Sequence, residues 1–167
     1  MKWLIIAVFL LTGFVAHAQD GYLLPGETPV ITFETTNGKR AMVAREAKDG
    51  YLVYRFGSKS KVEFEFPTKD RSSWKKFSYS FYLRGGGTKN EGMDLNYLYF
   101  DNKGFRYVVY QNFYAHGNER KAGIKVINLG QKNNTTDIKA VYSTVKGSLA
   151  AFFRDNNLVV AGEEVFD

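Results

Sequence analysis

The sequence predicts an all-β chain, a single antiparallel β-barrel or β-sandwich of about eight to ten strands with one short helix near the C-terminus. Three observations carry this expectation. Apolar and polar residues alternate in short runs, and Gly, Asn, Asp and Ser cluster between those runs. Eleven tyrosines and fourteen phenylalanines suit pleated, half-buried surfaces.

The first pair of strands is VITFETT at 30–36 and KRAMVAR at 39–45, joined at Asn37-Gly38, a dipeptide that supplies the positive φ angles of a type I′ turn. YLVYRF at 51–56 follows Lys48-Asp49-Gly50, and KVEFEF at 61–66 follows Gly57-Ser58-Lys59-Ser60. In the second of these runs Val62, Phe64 and Phe66 share one face, which leaves Glu63 and Glu65 on an expected solvated face. WKKFSYSFYL at 74–83 sets Phe77, Tyr79, Phe81 and Leu83 on one side. The loop RGGGTKNEG then leads to MDLNYLYF at 93–100, and Asp101-Asn102-Lys103-Gly104 turns that run into FRYVVYQNFY at 105–114. Tyr107 and Val109 face one way and Val108 and Tyr110 the other, so this strand is apolar on both sides and belongs at the centre of a sheet or inside a barrel wall. Tyr107, Val109 and Phe81 are the expected core positions.

Past the polar turn AHGNERKAG come IKVINL at 124–129, DIKAVY at 137–142 and LVVAGEEVF at 158–166. Between the last two, SLAAFF at 148–153 reads as a short helix capped by Ser148, with Leu149, Phe152 and Phe153 as its buried stripe. The alternative is a strand that pairs with 158–161 around Asp155-Asn156-Asn157.

The first eighteen residues read as an address. Lys2 is a positive n-region, Leu4 to Val15 an apolar h-region, and Ala16-His17-Ala18 a small-x-small cleavage site. The expected organisation is therefore a signal peptide at 1–18, an N-terminal extension at 19–29 and one β-rich domain at 30–167. The expected location is periplasmic or secreted, with no stable membrane insertion after cleavage. No cysteine occurs, which excludes lipobox acylation, disulfides and a cysteine nucleophile. The absence of disulfides in an exported domain points toward a bacterial source. The formal charge is +6, or +5 without Lys2, and no long basic block accompanies it. It reads as a soluble surface with a mild preference for anionic partners.

Catalytic constellations are sparse. His17 lies in the leader, so His116 is the sole histidine beyond it, and no familiar zinc ligand set or G-x-S-x-G elbow is present. Asp70, Glu91 and Asp94 lie in or beside turns, where solvation and capping account for them. No cofactor is expected. The most unusual string is Arg84-Gly85-Gly86-Gly87, followed by Lys89 and Glu91. Glycines there clear side chains from the path of a partner, and the charges offer polar contacts, so this is the expected partner-binding loop rather than a phosphate loop. Tyr82, Tyr97, Tyr99, Tyr107 and Tyr110 offer a second reading, an aromatic cavity for a sugar or lipid. The export signal argues against nucleic acid.

At ETTNGKRAMVA, YLVYRFG and KVEFEFP the chain resembles small secreted β-proteins of Gram-negative bacteria, and the resemblance continues through SWKKFSYSFYLRGGG and DLNYLYF. The hairpin from Phe33 to Gly38 is distantly similar to the start of periplasmic lysozyme inhibitors. That likeness implies a small β-barrel that inserts a loop into an enzyme cleft, although a charge of +5 opposes attraction to a basic lysozyme. The expected function is an exported, non-enzymatic binding protein, such as an inhibitor or immunity-type protein acting on an envelope hydrolase or toxin. A ligand- or glycan-binding barrel is the alternative and a hydrolase the third reading. The partner is expected to be a protein or an envelope glycan, and the oligomeric state stays open.

Overall fold

The structure, a computed structural model, describes residues 21–131 and 134–165. The signal-peptide expectation for 1–18 lies outside the described residues. Two sheets form the fold. The first contains β1 (Glu27–Glu34), β2 (Lys39–Glu46), β3 (Leu52–Ser58), β4 (Lys61–Phe66) and the two-residue β10 (Lys146–Gly147), in the order β10-β1-β2-β3-β4. The second contains β5 (Ser78–Arg84), β6 (Met93–Asn102), β7 (Phe105–Tyr114), β8 (Glu119–Asn128), β9 (Thr135–Lys139) and β11 (Val160–Ala161), in the order β11-β5-β6-β7-β8-β9. Neither sheet closes on itself, so the architecture is sandwich-like. A bridge between Thr35 and Ala140, with the Thr36 N–H donating to the Lys139 carbonyl and the Val141 N–H to the Glu34 carbonyl, ties the sheets at one corner.

Local chemistry explains most of the elements, with some corrections. The β1–β2 hairpin forms, but its turn is not type I′. Gly38 alone takes a positive φ, of 79°, and the Gly38 N–H donates to the Thr35 carbonyl, which fits a type I turn closed by a left-handed glycine. The two-residue type I′ geometry appears instead at Lys103-Gly104, with φ of 50° and 82°, between the paired ends Asn102 and Phe105. Trp74 to Lys76 do not begin β5. They belong to a 3₁₀ turn over Arg71–Lys76, started by Asp70, whose carboxylate accepts the Ser72 N–H at 2.7 Å. β8 starts at Glu119, well before Ile124, because its partner β7 runs unbroken from Phe105 to Tyr114.

The helix reading of 148–153 holds. α1 spans Leu149–Arg154, and the Ser148 hydroxyl accepts the Ala151 N–H at 3.1 Å. The tail supplies only the short β11, which pairs parallel to β5, a departure from the all-antiparallel expectation.

The core lies between the sheets. From the first come Ile31, Phe33, Val43, Leu52 and Tyr54; from the second Tyr79, Leu98, Phe100, Val109 and Ile124; α1 adds Leu149 and Phe152. Phe66 stacks on Phe100 with ring centroids 4.4 Å apart, so β4 closes over the middle of the opposing sheet. Val109 is buried and Tyr107 half-buried against this core, but Phe81 is 55% exposed and is not a core residue. β7 is central, as its two apolar faces require: Val108 and Tyr110 join Leu95, Tyr97 and Tyr99 in a second cluster on the opposite side of the sheet.

Residues 22–29 pack against the first sheet, and β1 begins within them at Glu27. Tyr22 is fully buried, and its hydroxyl donates to the Ser58 carbonyl at 2.8 Å.

Candidate functional site

The site grows out of a mismatch in length between the sheets. On the core face of the second sheet, residues align across strands in rows set by the antiparallel register. One row is Tyr79, Leu98, Val109 and Ile124; the next is Phe81, Asn96, Gln111 and Ala122; the last is Leu83, Asp94, Phe113 and Arg120. The first of these rows is buried under the other sheet. The second is met by α1, whose first N–H, at Leu149, donates to Gln111 Oε1 at 2.9 Å while Gln111 Nε2 donates to the Gly147 carbonyl at 3.3 Å. At the β5 end of this row and in the row beyond it the strands outrun their cover, which leaves Phe81 and Leu83 55% and 68% exposed.

The result is a trough. A cavity of about 250 Å3 is bounded by Tyr79, Phe81, Leu83, Asp94, Asn96 and the α1 residues Ala150, Phe153 and Arg154. Its inner wall is rigid, since Phe153 stacks on Tyr79 with centroids 4.0 Å apart and 11° between planes. Its polar floor is satisfied internally: the Tyr79 hydroxyl donates to Asn96 Oδ1, and Asn96 Nδ2 donates to Asp94 Oδ1 at 2.8 Å. Burial, with the Asp94 charge adding to it, pushes the Tyr79 phenol far up, so that hydroxyl remains a donor. The groups left for a partner are the apolar faces of Phe81 and Leu83 and the charged rim at Arg154.

The glycine loop forms the outer lip of this trough. Gly86 and Gly87 take φ of 91° and 61°, a conformation that side-chain-bearing residues rarely adopt, and start a 3₁₀ turn over Gly87–Asn90. Asn90 Nδ2 donates to the Gly85 carbonyl at 3.0 Å, and the Gly92 N–H to the Gly87 carbonyl at 2.8 Å, so the loop is closed on itself. Arg84 turns back to the Tyr82 hydroxyl at 3.2 Å and to Glu91 at 3.5 Å, and Lys89 is exposed at the tip. Of the six expected loop residues, Arg84 and Glu91 therefore meet each other, Gly85 to Gly87 shape the turn, and Lys89 points to solvent. His116 is exposed in the neighbouring β7–β8 turn, which the Ala115 N–H links to the Gly92 carbonyl at 2.7 Å.

The five tyrosines of the aromatic-cavity reading do not converge. Tyr107 faces the core, whereas Tyr82, Tyr97, Tyr99 and Tyr110 lie on the opposite side of the sheet. There Tyr110 crosses Gly123 to donate to Asp137 Oδ1 at 2.9 Å. A cavity of about 410 Å3 beside it is lined by Tyr110 and Tyr114 with Arg120, Lys121, Lys125 and Lys139, against Glu119 and Asp137.

One buried polar cluster was not foreseen. Arg55 on β3, 1% exposed, donates from Nη1 and Nη2 to the two oxygens of Glu27 at 2.6 and 2.7 Å, from Nε to Glu65 at 2.7 Å, and from Nη1 to the Tyr22 carbonyl at 2.8 Å. Tyr51 donates to Glu27 at 2.8 Å, and Lys69 pairs with Glu65. Glu65 is thus not simply solvated, whereas Glu63 is, paired at the surface with Lys39. Burial alone would raise the Glu27 carboxyl, but hydrogen bonds from Arg55, the Leu24 N–H and Tyr51 outweigh it and hold it below the ordinary glutamate range. Burial and the bond to Glu27 push the Tyr51 phenol up to about 12. With every side-chain group satisfied, this cluster is a latch that fastens residues 22–27 over the first sheet. A lone arginine in the apolar run YLVYRF was the available signal, because such a charge demands a buried partner.

Among the described residues no group of three or more His, Cys, Asp or Glu is placed to hold a metal ion, and no helix is long and apolar enough to cross a membrane. Comparison with protein families, curated proteins and solved structures found no match to the chain.

Proposed function

We propose that this chain is an exported, non-enzymatic binding protein whose trough and glycine lip receive an apolar segment of a partner protein. The observation that carries the reading is the exposure of Phe81 and Leu83 on the same face whose neighbouring row, Tyr79, Leu98, Val109 and Ile124, is core. A scaffold of this kind presents binding groups on a rigid platform, and an apolar patch with a polar rim is the usual anatomy of an interface. The internally bonded Asn96 and Asp94 favour an apolar protein segment over a sugar, whose hydroxyls need open polar partners. An inhibitor or immunity-type protein acting on an envelope hydrolase or toxin fits these features.

The test is photo-crosslinking in exporting cells, with a benzophenone amino acid at Phe81 or Lys89 and a control at Phe105, 40% exposed at the far end of β7. The expected result is a discrete adduct from positions 81 and 89, with the adduct from position 81 lost in the Arg84→Ala/Lys89→Ala variant. Equal labelling at Phe105 overturns the reading.

A second reading, an anionic glycan, is favoured by the 410 Å3 cavity with its four basic side chains. It predicts binding of an anionic oligosaccharide that weakens with salt and with Lys125→Ala.

A further inference from the structure

The trough continues beyond β5. A second, smaller cavity of about 140 Å3 adjoins it, and the two share Asp94, Asn96 and Ala150. Together they make one groove along the last row of the sheet, Leu83, Asp94, Phe113 and Arg120, with Ser148 and Ala150 on one side. The chemistry changes in order along that row. Leu83 is exposed and apolar, Asp94 is half-buried, and Arg120 is exposed with its guanidinium carbon 4.6 Å from the centre of the Phe113 ring. Phe113 separates Asp94 from Arg120, and among the described residues neither makes an ion pair. Asp94 Oδ1 accepts from the Asn96 amide, which the Tyr79 hydroxyl holds in turn, so the carboxylate is oriented while its second oxygen accepts no hydrogen bond from a described residue. An oriented, half-buried carboxylate of this kind is a receptor for a cation brought by a partner.

We infer that the partner segment received by the trough is extended, lies across the strands in this groove, and carries an apolar, a basic and an acidic residue, in that order, at alternate positions. The inference rests on the partner-protein reading of the trough and adds the chemistry of that partner. Neighbouring strands are about 4.8 Å apart, so Leu83 on β5 and Arg120 on β8 are separated by about 14 Å, which four steps of extended chain at about 3.4 Å each span. In an extended chain alternate side chains share one face. The first of the three residues enters the trough against Phe81 and Leu83. The second, a lysine or arginine, reaches the open oxygen of Asp94, and the third, an aspartate or glutamate, meets Arg120 beyond Phe113. Both ion pairs are charge-assisted hydrogen bonds, which fix orientation as well as adding affinity. Either chain direction satisfies this order, so both are probed.

The probes are acetylated, amidated peptides: Leu-Ser-Arg-Ser-Glu, its reverse Glu-Ser-Arg-Ser-Leu, and versions of each with glutamine for the arginine, glutamine for the glutamate, or the two charges exchanged. They are titrated into isotopically labelled purified protein, with NMR shifts followed at the amides of Asn96 and Phe113. One of the two parent peptides is expected to bind about ten-fold or more tightly than its exchanged version. Asp94→Asn is expected to erase the advantage of arginine over glutamine, and Arg120→Gln that of glutamate over glutamine, with circular dichroism unchanged. Lys75→Gln, exposed in the turn over Arg71–Lys76, is expected to leave both advantages in place. No binding by any peptide, equal binding by all, or an advantage that survives both groove substitutions overturns the proposal. So does binding of phenethylammonium as tight as that of the better parent peptide, since the occupant would then be a small organic cation. These outcomes are distinct from failure of the partner-protein reading itself, which shows as equal photo-labelling at Phe81 and Phe105.

Discussion

Arg55 shows how much one residue can fix. Its guanidinium is buried with the Glu27 carboxylate against it, and replacing it by Ala leaves that carboxylate without its ion partner. The expected loss is about 3–5 kcal/mol, read as a drop in the urea midpoint with an unchanged slope. Glu27 and Glu65 both titrate lower in the folded chain, where burial raises each carboxyl but hydrogen bonds from Arg55, and for Glu65 also from Lys69, outweigh it. Their contribution is therefore complete above the unfolded glutamate pKa, near 4.3, and is lost as the pH falls through the folded values. The wild-type midpoint should fall between about pH 6 and about pH 3, and Arg55→Met should flatten that fall. A midpoint that does not move over this range would mean that the carboxylates are not held ionised by the fold. The sequence reading did not single out Arg55, and its partners Glu27 and Tyr22 could not be read locally, because they lie 28 and 33 residues away and meet it only after the chain wraps over β3.

At the scale of elements, β5 changes character along its length. Phe77 and Tyr79 are core residues, whereas Phe81 and Leu83, at the same alternating positions, are exposed. Phe81→Ala should thus cost less than about 1 kcal/mol. Leu98→Ala, fully buried in the adjacent strand, should cost about 2–5 kcal/mol. Denaturation midpoints of the two variants decide this, and a large loss at Phe81 would place that ring under cover. The period-two pattern was read correctly, but a period reports which face a side chain takes and not whether anything lies over that face. A hint was present in β6, where the core-facing series runs Phe100, Leu98, Asn96, Asp94 and turns polar where the cover ends. The cap of α1 was legible in full: Ser148→Ala should cost about 1 kcal/mol, seen as a fall in Tm.

Across the whole molecule, β6 and β7 are paired on both edges and buried on both faces, while β10 and β11 are two-residue strands at the sheet edges. Local opening follows contact density. Amides of 95–100 and 107–110 should exchange slowest with deuterium and those of 160–162 fastest. Exchange at 95–100 as fast as at 160–162 would contradict a core centred on these strands. The sequence alone determined the all-β class, the hairpins and the two apolar faces of β7, and it offered Ser148 as a helix cap beside a strand alternative, because each follows from side-chain alternation, turn residues and a cap within a few positions. Tertiary structure alone decided that the chain makes two open sheets rather than one closed barrel, that its tyrosines divide between opposite faces, and that Phe81 and Leu83 are exposed. Those outcomes depend on where one sheet stops over the other, a relation between residues far apart in sequence that no local pattern encodes.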